Sequence, residues 1–315
     1  MGLRKLQLIA GKTYTVSVPK QWASRHGLRA SDEVHVVEQD DGSLVVSPEQ
    51  VRESMPTQFT LSIDKTTRSV DEALVALYYL GAHTITMHAS GEFTKELKAR
   101  IRRTVTLLTG MEIAYEDRNE LRIVVLLDES RVDVHQALYR ISLLIEQSLA
   151  SFDAVEPHEL TMNEDETDRL YHLAVKVLSR SIENSTILSS AGVKNLYIIP
   201  SYLLIAKKLE NIMDAAYDAG MLLHERRARL SLPDFVDYVK ETLEASLRHL
   251  IKHKKLPYKK TRRRVYESHL RSIHRLKDRQ LAMYLGLILR YLRDIEEAVF
   301  TVSFSRRMRE TVKKG

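Results

Sequence analysis

The chain contains two acidic pairs whose members stand four residues apart. Glu164 and Asp168 form one pair, and Glu210 and Asp214 form the other. Side chains four residues apart lie one above the other on a helix, so each pair presents two carboxylates to one point. Like charges at this spacing repel unless a cation compensates them, and such oxygen ligands suit a divalent or iron-type metal ion. Asp218 extends the second row by one further turn.

A solvated acidic helix face is the alternative interpretation of these pairs. Carboxylates near a helix N-terminus are favoured by the helix dipole, which explains Glu164 well. The dipole explains Glu210 and Asp214 poorly, because they lie in the middle of their helix. Lys207 and Lys208 would neutralise this second row without a metal. The residues alone leave both interpretations open.

Long helices must position these carboxylates. From Val132 onward the apolar spacing predicts amphipathic helices, with breaks at proline or glycine. Short connections between long helices are typical of antiparallel bundles. We expect two groups of three helices, over 132–228 and 233–312. The predicted helices span about 132–153, 161–190, 194–228, 233–253, 260–275 and 279–312.

A smaller segment at 57–128 precedes the helices and has a different pattern. Strand and helix periods follow one another in the order β-α-β-α-β-β, which predicts a small α+β layer with its helices on one face. Its glycines lack the spacing of a phosphate-binding loop. Pro48 to Pro56 precedes it and reads as a linker. No catalytic group of residues is evident in this segment.

The N-terminus predicts two β-hairpins joined by one helical turn. Leu6 to Pro19 alternates around Gly11-Lys12, and Asp32 to Ser47 alternates around Asp41-Gly42. Lys20 to Gly27 between them reads as a short helix ended by glycine. About forty residues rarely bury a core alone. The chain has no cysteine for disulfides, so we expect a homodimer.

The motifs of this segment resemble the swapped-hairpin DNA-binding domains of the AbrB/SpoVT/MazE family. They are Lys12, Val16-Ser17-Val18-Pro19-Lys20, and Gly27-Leu28 followed by Asp32-Glu33-Val34. The resemblance implies a domain over 1–48 in which two chains interleave their hairpins and basic loops grip DNA. The residues it places toward phosphates are Arg4, Lys5, Lys12, Lys20 and Arg25. Clustered cations attract duplex DNA whatever the family, although lysine on edge strands also serves solubility.

The helical half resembles a second family. Glu164-x-x-x-Asp168-Arg169-Leu170-Tyr171 and Lys208-Leu209-Glu210-Asn211-Ile212-Met213-Asp214 are similar to the repeated motifs of the PhoU phosphate-uptake regulators. That resemblance implies two three-helix bundles and metal binding at Glu164, Asp168, Glu210, Asp214 and Asp218. Fusions of an AbrB-like to a PhoU-like part are known in archaea, so the two resemblances support each other.

The second helical repeat departs from this pattern. Tyr291 to Ala298 aligns with Lys208 to Ala215, but Arg293 stands where Glu210 stands and only Glu297 keeps a carboxylate. We therefore expect no second metal cluster.

Composition limits the remaining classes of protein. The chain has 315 residues, 44% of them apolar, and carries a net charge of +6. It is long enough for two or three domains. Zero cysteines exclude thiolate zinc sites and cysteine nucleophiles. No run of 18 apolar residues predicts a membrane span, and a cytoplasmic protein is the simplest expectation.

The segment from Arg248 to Arg279 contains 13 lysines and arginines against Glu267 and Asp278. So many positive charges in one segment repel one another unless an anion lies nearby. DNA, an acidic protein and anionic lipid are the partners considered. An ordinary solvated helix face is the alternative.

These patterns together predict a multidomain α+β protein that is not an enzyme. The leading hypothesis is a transcription regulator of phosphate uptake that binds a palindromic or near-palindromic operator as a dimer. The second is an adaptor that restrains a phosphate transporter or its sensor kinase, with the hairpins used only for dimerisation. Metal-assisted hydrolysis is the least favoured, because no nucleophile or base accompanies the carboxylates.

Overall fold

The computed structural model divides the chain into two compact units, Met1–Pro56 and Thr57–Gly315. Within these units it describes residues 3–38, 42–48, 57–63, 69–230, 232–252 and 260–312. The predicted turn residue Asp41 and all of the predicted linker except Pro48 lie outside these ranges. The three-part division of the chain stays a prediction.

The first unit consists of two antiparallel hairpins with one short helix between them, as predicted. Gly11 has a φ of 70° and lies in the first turn, and Gly27 has a φ of 66° and follows the helix. This left-handed backbone is freely available only to glycine. The elements are β1 (Gln7–Ile9), β2 (Thr13–Thr15), α1 (Lys20–Arg25), β3 (Val34–Glu38) and β4 (Leu44–Pro48), with β1 pairing β2 and β3 pairing β4.

Residues 57–128 of the second unit form the predicted layer of four strands and two helices. The sheet order is β5-β6-β8-β7, with β5 parallel to β6 and the other pairs antiparallel. Ile85, Met87, Leu121 and Ile123 face the helices and are buried, so one sheet face is covered. The elements are β5 (Gln58–Ile63), α2 (Val70–Tyr79), β6 (Thr84–Ala89), α3 (Lys95–Leu107), β7 (Met111–Glu116) and β8 (Glu120–Val125).

The rest of the second unit is helical, and one hydrophobic core runs through it. Helices α7 and α10 pack along each other and link the two predicted groups of helices. The helices are α4 (Val134–Ala150), α5 (Pro157–Ser181), α6 (Ser185–Ser190), α7 (Ile199–Glu225), α8 (Pro233–Lys252), α9 (Lys260–His274) and α10 (Arg279–Val312). Among the described residues, no helix combines the length and apolar content that a membrane span needs.

The prediction of one helix over 161–190 was wrong. Helix α5 begins earlier, at Pro157, because proline is well tolerated in the first helical turn. It ends at Ser181, and α6 begins after Asn184. The side-chain oxygen of Asn184 accepts the backbone N–H groups of Thr186 and Ile187. This cap starts a new helix rather than continuing the old one.

Candidate functional site

Three of the predicted carboxylates come together where α5 packs against α7. Glu164 and Asp168 lie on α5, and Asp214 lies on α7. Each offers an oxygen atom, and these three atoms all lie within 4.8 Å of one another. Glu164 and Asp168 are half-buried and Asp214 is exposed. We call these three residues the carboxylate group.

The other two predicted metal ligands do not belong to this group. Lys207 Nζ donates to both carboxylate oxygens of Glu210, at 2.5 and 2.6 Å. Glu210 is only 8% exposed, so Lys207 supplies the counter-charge that its burial requires. Asp218 is exposed and lies outside the group. Glu164 and Asp168 therefore come together, as their spacing predicts, whereas Glu210 does not join Asp214 in the carboxylate group.

Burial and mutual repulsion raise the pKa values of the carboxylate group. Burial raises the pKa of Asp168 to about 7, and the neighbouring charges of Glu164 and Asp214 add to the effect. Burial also raises the pKa of Glu164, with Asp165 and Asp214 contributing. A cation at this point would favour the ionised carboxylates and oppose both shifts. The donor set of three carboxylate oxygens fits a hard cation chemically.

The corresponding positions of the second helical repeat are occupied by ion pairs. Arg293 Nε lies 3.2 Å from Glu297 Oε1, and its guanidinium lies over the ring of Tyr266. Lys208 Nζ lies 2.8 Å from Asp294 Oδ2 and joins α7 to α10. Within the described part of the chain, the carboxylate group is the one set of three such ligands that meets these distances.

Helix α2 of the α+β layer lies against the same stretch of α5. The hydroxyl of Tyr79 lies 2.6 Å from Nδ1 of His172, one turn beyond Asp168. Burial lowers the pKa of His172 and raises that of Tyr79, so both side chains are neutral at pH 7. His172 is not one of the three grouped ligands, although it stands four residues after Asp168 on α5.

Lys176, one turn further along α5, makes a second contact with α2. Its side chain is 1% exposed, yet its ammonium donates to the carbonyl of Tyr78 at 2.9 Å and lies 3.0 Å from Glu129 Oε1. The same ammonium lies 4.4 Å from the centre of the Tyr78 ring. Sequence analysis missed this contact, because no local pattern marks partners 98 residues apart.

All five predicted DNA-contacting residues are exposed in the first unit. Lys12 lies in the turn between β1 and β2, and Lys20 and Arg25 lie at the two ends of α1. Arg4 and Lys5 precede β1. No described carboxylate forms an ion pair with any of them, so their charges are available to an anionic partner.

The described side chains of the first unit form no core of their own. None of its residues with a described side chain is buried. Trp22 and Leu28 are half-buried, while many apolar side chains of the hairpins are exposed. These are Leu3, Leu6, Leu8, Ile9, Tyr14, Val16, Val18, Val34, Val36, Leu44 and Val45. So large an apolar surface on so small a unit marks an interaction site.

Residues 7–54 match the family described as "Antidote-toxin recognition MazE, bacterial antitoxin". No curated protein and no solved structure matches the chain.

The match confirms the predicted similarity of the hairpin segment to the AbrB and MazE group. A MazE-like domain fits a DNA-binding or antitoxin-like regulatory role, and such domains typically dimerise. The match ends at residue 54 and does not reach the helical region. The similarity of that region to PhoU therefore stays a prediction.

Proposed function

We propose that this protein is a transcription regulator that binds DNA as a homodimer and has no catalytic role. One observation carries the proposal: a MazE-like segment folds into two hairpins without a single buried side chain among those described. A second copy that interleaves its hairpins would cover the exposed apolar residues. The shared core would then hold two sets of basic loops in fixed positions.

The five exposed cations of each chain supply the attraction to DNA. Each phosphate that they neutralise releases bound counterions, which makes the binding dependent on salt. Two-fold symmetry of the dimer would place two equivalent basic surfaces on the duplex. We therefore expect a palindromic or near-palindromic operator.

Replacing Arg4, Lys5 and Lys12 by alanine in the full chain tests this role. We expect binding to a duplex from the protein's own promoter region to weaken at least tenfold, because phosphate contacts are lost. Fluorescence anisotropy measures the affinity. Replacement of Lys95, Arg103 and Arg140 by alanine removes the same charge from exposed positions of the second unit and serves as the control. Unaltered binding by the hairpin variant would sink the proposal.

The helical region is proposed to be a PhoU-like sensing or docking bundle that reports phosphate status. The carboxylate group supports this proposal, because three carboxylate oxygens so close together repel one another. A divalent or iron-type metal ion would compensate them. Glu164, Asp168 and Asp214 would hold this ion, with Asp218 at the exposed edge.

Metal content of the purified protein tests the ligand set. Asp214→Asn removes a grouped oxygen, so we expect it to lose bound metal. Asp218→Asn removes a carboxylate outside the group and should retain the metal. Elemental analysis by mass spectrometry gives the metal-to-protein ratio. Equal metal content in both variants would refute the assignment.

Genome-wide DNA occupancy in high and low phosphate tests the link to phosphate uptake. We expect occupancy at phosphate-transport promoters to change with phosphate supply. Occupancy that does not change with phosphate supply would indicate a DNA-binding regulator that responds to a different effector.

An adaptor function is the second candidate. The exposed apolar surface of the first unit is also what dimerisation alone would require. In that case the bundle would dock a phosphate transporter or signalling component, and the hairpins would join two copies. Retrieval of membrane components together with no salt-sensitive DNA affinity would favour this candidate.

A further inference from the structure

Helix α9 carries a row of exposed cations on one face. Arg264, Arg271 and Arg275 are exposed and follow one another at spacings of seven and four residues. Residues at these spacings share one side of a helix. Ser268 completes the row. Helix α9 ends at His274, so Arg275 directly follows the helix and Lys277 stands two residues further on. We call Arg264, Arg271, Arg275 and Lys277 the α9 basic face.

Nothing described within the protein neutralises this face. The two carboxylates of the segment are already engaged, Glu267 by Arg263 at 3.0 Å and Asp278 by Arg226. None of the four cations of the α9 basic face forms an ion pair with a described carboxylate. Four like charges on about 20 Å of chain repel one another unless an anion lies against them.

The opposite side of α9 holds the helix in place. Ile273 is 1% exposed, and Tyr266 and Leu270 pack against the hydrophobic core. At 3.6 residues per turn, Arg264 and Arg271 on α9 point about 140° away from Ile273 and Leu270 taken together. These two arginines are therefore displayed outward by a helix that packs against the core.

We infer that the α9 basic face is a second DNA-binding surface, which contacts the phosphodiester backbone independently of sequence. This inference rests on the proposed DNA-binding function and extends it to the helical region. The row from Arg264 to Arg275 is about 16 Å long, which matches about five base pairs at 3.4 Å each. Arginines on a regular helical row suit the regularly spaced phosphates of DNA better than they suit a compact single anion.

An acidic amphipathic peptide is the competing partner. It would use the groove between α9 and α10, which has a volume of about 550 Å³ and is lined by apolar side chains including Leu270 and Met283. Arg279 and Arg290 also line it. Arg264 and Arg271 point about 110° around the helix from Leu270, which lines this groove. A peptide in the groove would leave these two arginines without a partner, so the geometry favours DNA.

Salt dependence of DNA binding tests the inference. The full chain with R264Q, R271Q, R275Q and K277Q is titrated with a mixed-sequence duplex between 50 and about 200 mM salt. Each lost phosphate contact changes the slope of log K against log salt by about 0.9, so four contacts change it by about 3.6 per chain. A matched control carries R103Q, R140Q, R229Q and K95Q, which are also three arginines and one lysine at exposed positions.

The inference predicts a shallower slope for the α9 variant only, and retention of the slope when the three arginines become lysine. An unchanged slope, or an equal loss in the matched control, would overturn it. Loss of binding to poly-L-glutamate with an unchanged DNA slope would assign the face to an acidic protein instead. Matching circular dichroism and melting curves show that both variants are folded.

Photocrosslinking separates this inference from the proposed role of the hairpins. A benzoylphenylalanine at Ser268 lies within the α9 basic face, and the same residue at Ala99 is an exposed control on α3. We expect a DNA adduct at position 268 and none at 99. The measurement is repeated with Arg4, Lys5 and Lys12 replaced by alanine. An adduct that persists there supports the α9 face even if the hairpins do not bind DNA, whereas no adduct at 268 in either background overturns it.

Discussion

The state of a single side chain, Asp168, defines the chemistry of the carboxylate group. Its pKa of about 7 results from burial first and from the charges of Glu164 and Asp214 second. At neutral pH the residue is therefore divided between its two protonation states. Any cation that binds must displace this proton, so we expect metal binding to strengthen as pH rises through 7.

Asp168→Asn should stabilise the metal-free protein above pH 7. The folded pKa lies above the ordinary value of 3.8, so the folded state binds the proton more tightly than the unfolded state. Stability is then highest below about pH 4 for this group and falls as pH rises to about 7. Asparagine removes that loss, and after allowance for solvent screening we expect a gain of about 1 kcal/mol at pH 8.

Thermal unfolding at pH 5 and pH 8 in a chelator measures the effect. A gain of this size raises the melting temperature by about 2–4 °C at pH 8, with a smaller rise at pH 5. The exposed Asp237→Asn on α8 serves as the control for loss of one charge. A variant that melts below the parent protein at pH 8 would show that the ionised carboxylate is needed for packing.

The spacing of acidic residues predicted part of this site. Glu164 and Asp168 are brought together as the helix period requires, and Asp214 meets them from the next long helix. The period could not separate Glu210 from Asp214, because both positions fit one face of α7. Lys207 distinguishes the two carboxylates, because its ammonium lies against Glu210. The sequence shows Lys207 three residues before Glu210, but it does not show where the lysine ammonium lies.

At the scale of elements, α5 connects the carboxylate group to the α+β layer. Tyr79 and Lys176 attach α2 to α5 on either side of a single helical turn. Both contacts lie within about two turns of Asp168 along the same helix. A change in the charge of the carboxylate group therefore acts on the helix to which the layer is attached.

Lys176→Met should loosen this attachment. Removal of a buried ammonium leaves Glu129, whose side chain is 16% exposed, without its partner. Breaking a buried pair from one side costs about 3–5 kcal/mol. Urea unfolding measures the loss, and hydrogen exchange should show the earliest opening at α2.

Lys208→Met is the matched control, because it also breaks an ion pair between elements but at a more exposed place. The side chains of Lys208 and Asp294 are 20% and 33% exposed, so we expect a cost of about 1 kcal/mol. Equal losses for the two lysine variants would contradict the role given to Lys176.

Strong periodicity made most elements predictable. The segment 57–128 contains four strands and two helices in the predicted order. The break between α5 and α6 was missed, because a single capping asparagine competes with a continuous helical pattern. Contacts such as Tyr79 with His172 join residues 93 apart, and only the folded chain brings them together.

At the scale of the molecule, the two units differ in how many of their apolar side chains they bury. The second unit buries extensive cores in both its layer and its helices. The first unit buries no described side chain and exposes apolar residues on both hairpins. A second copy of the chain is the simplest cover for that surface, and the match to a MazE family model agrees with it.

The sequence of this unit was readily recognised as two hairpins. Its motifs encode turns, strand alternation and basic loops within fewer than fifty residues. The carboxylate group and the α9 basic face lie on long helices, where composition alone does not distinguish a binding surface from a solvated face. Their roles therefore depend on which side chains the packed helices leave without partners.

The mass of the protein–DNA complex shows whether the protein binds DNA as a dimer. Sedimentation equilibrium of the full chain with a fluorescent duplex from its own promoter region measures how many chains bind, at several salt concentrations. We predict two chains per duplex and an affinity that falls steeply as salt increases. A single bound chain, or no salt-dependent binding at any concentration tested, would contradict it.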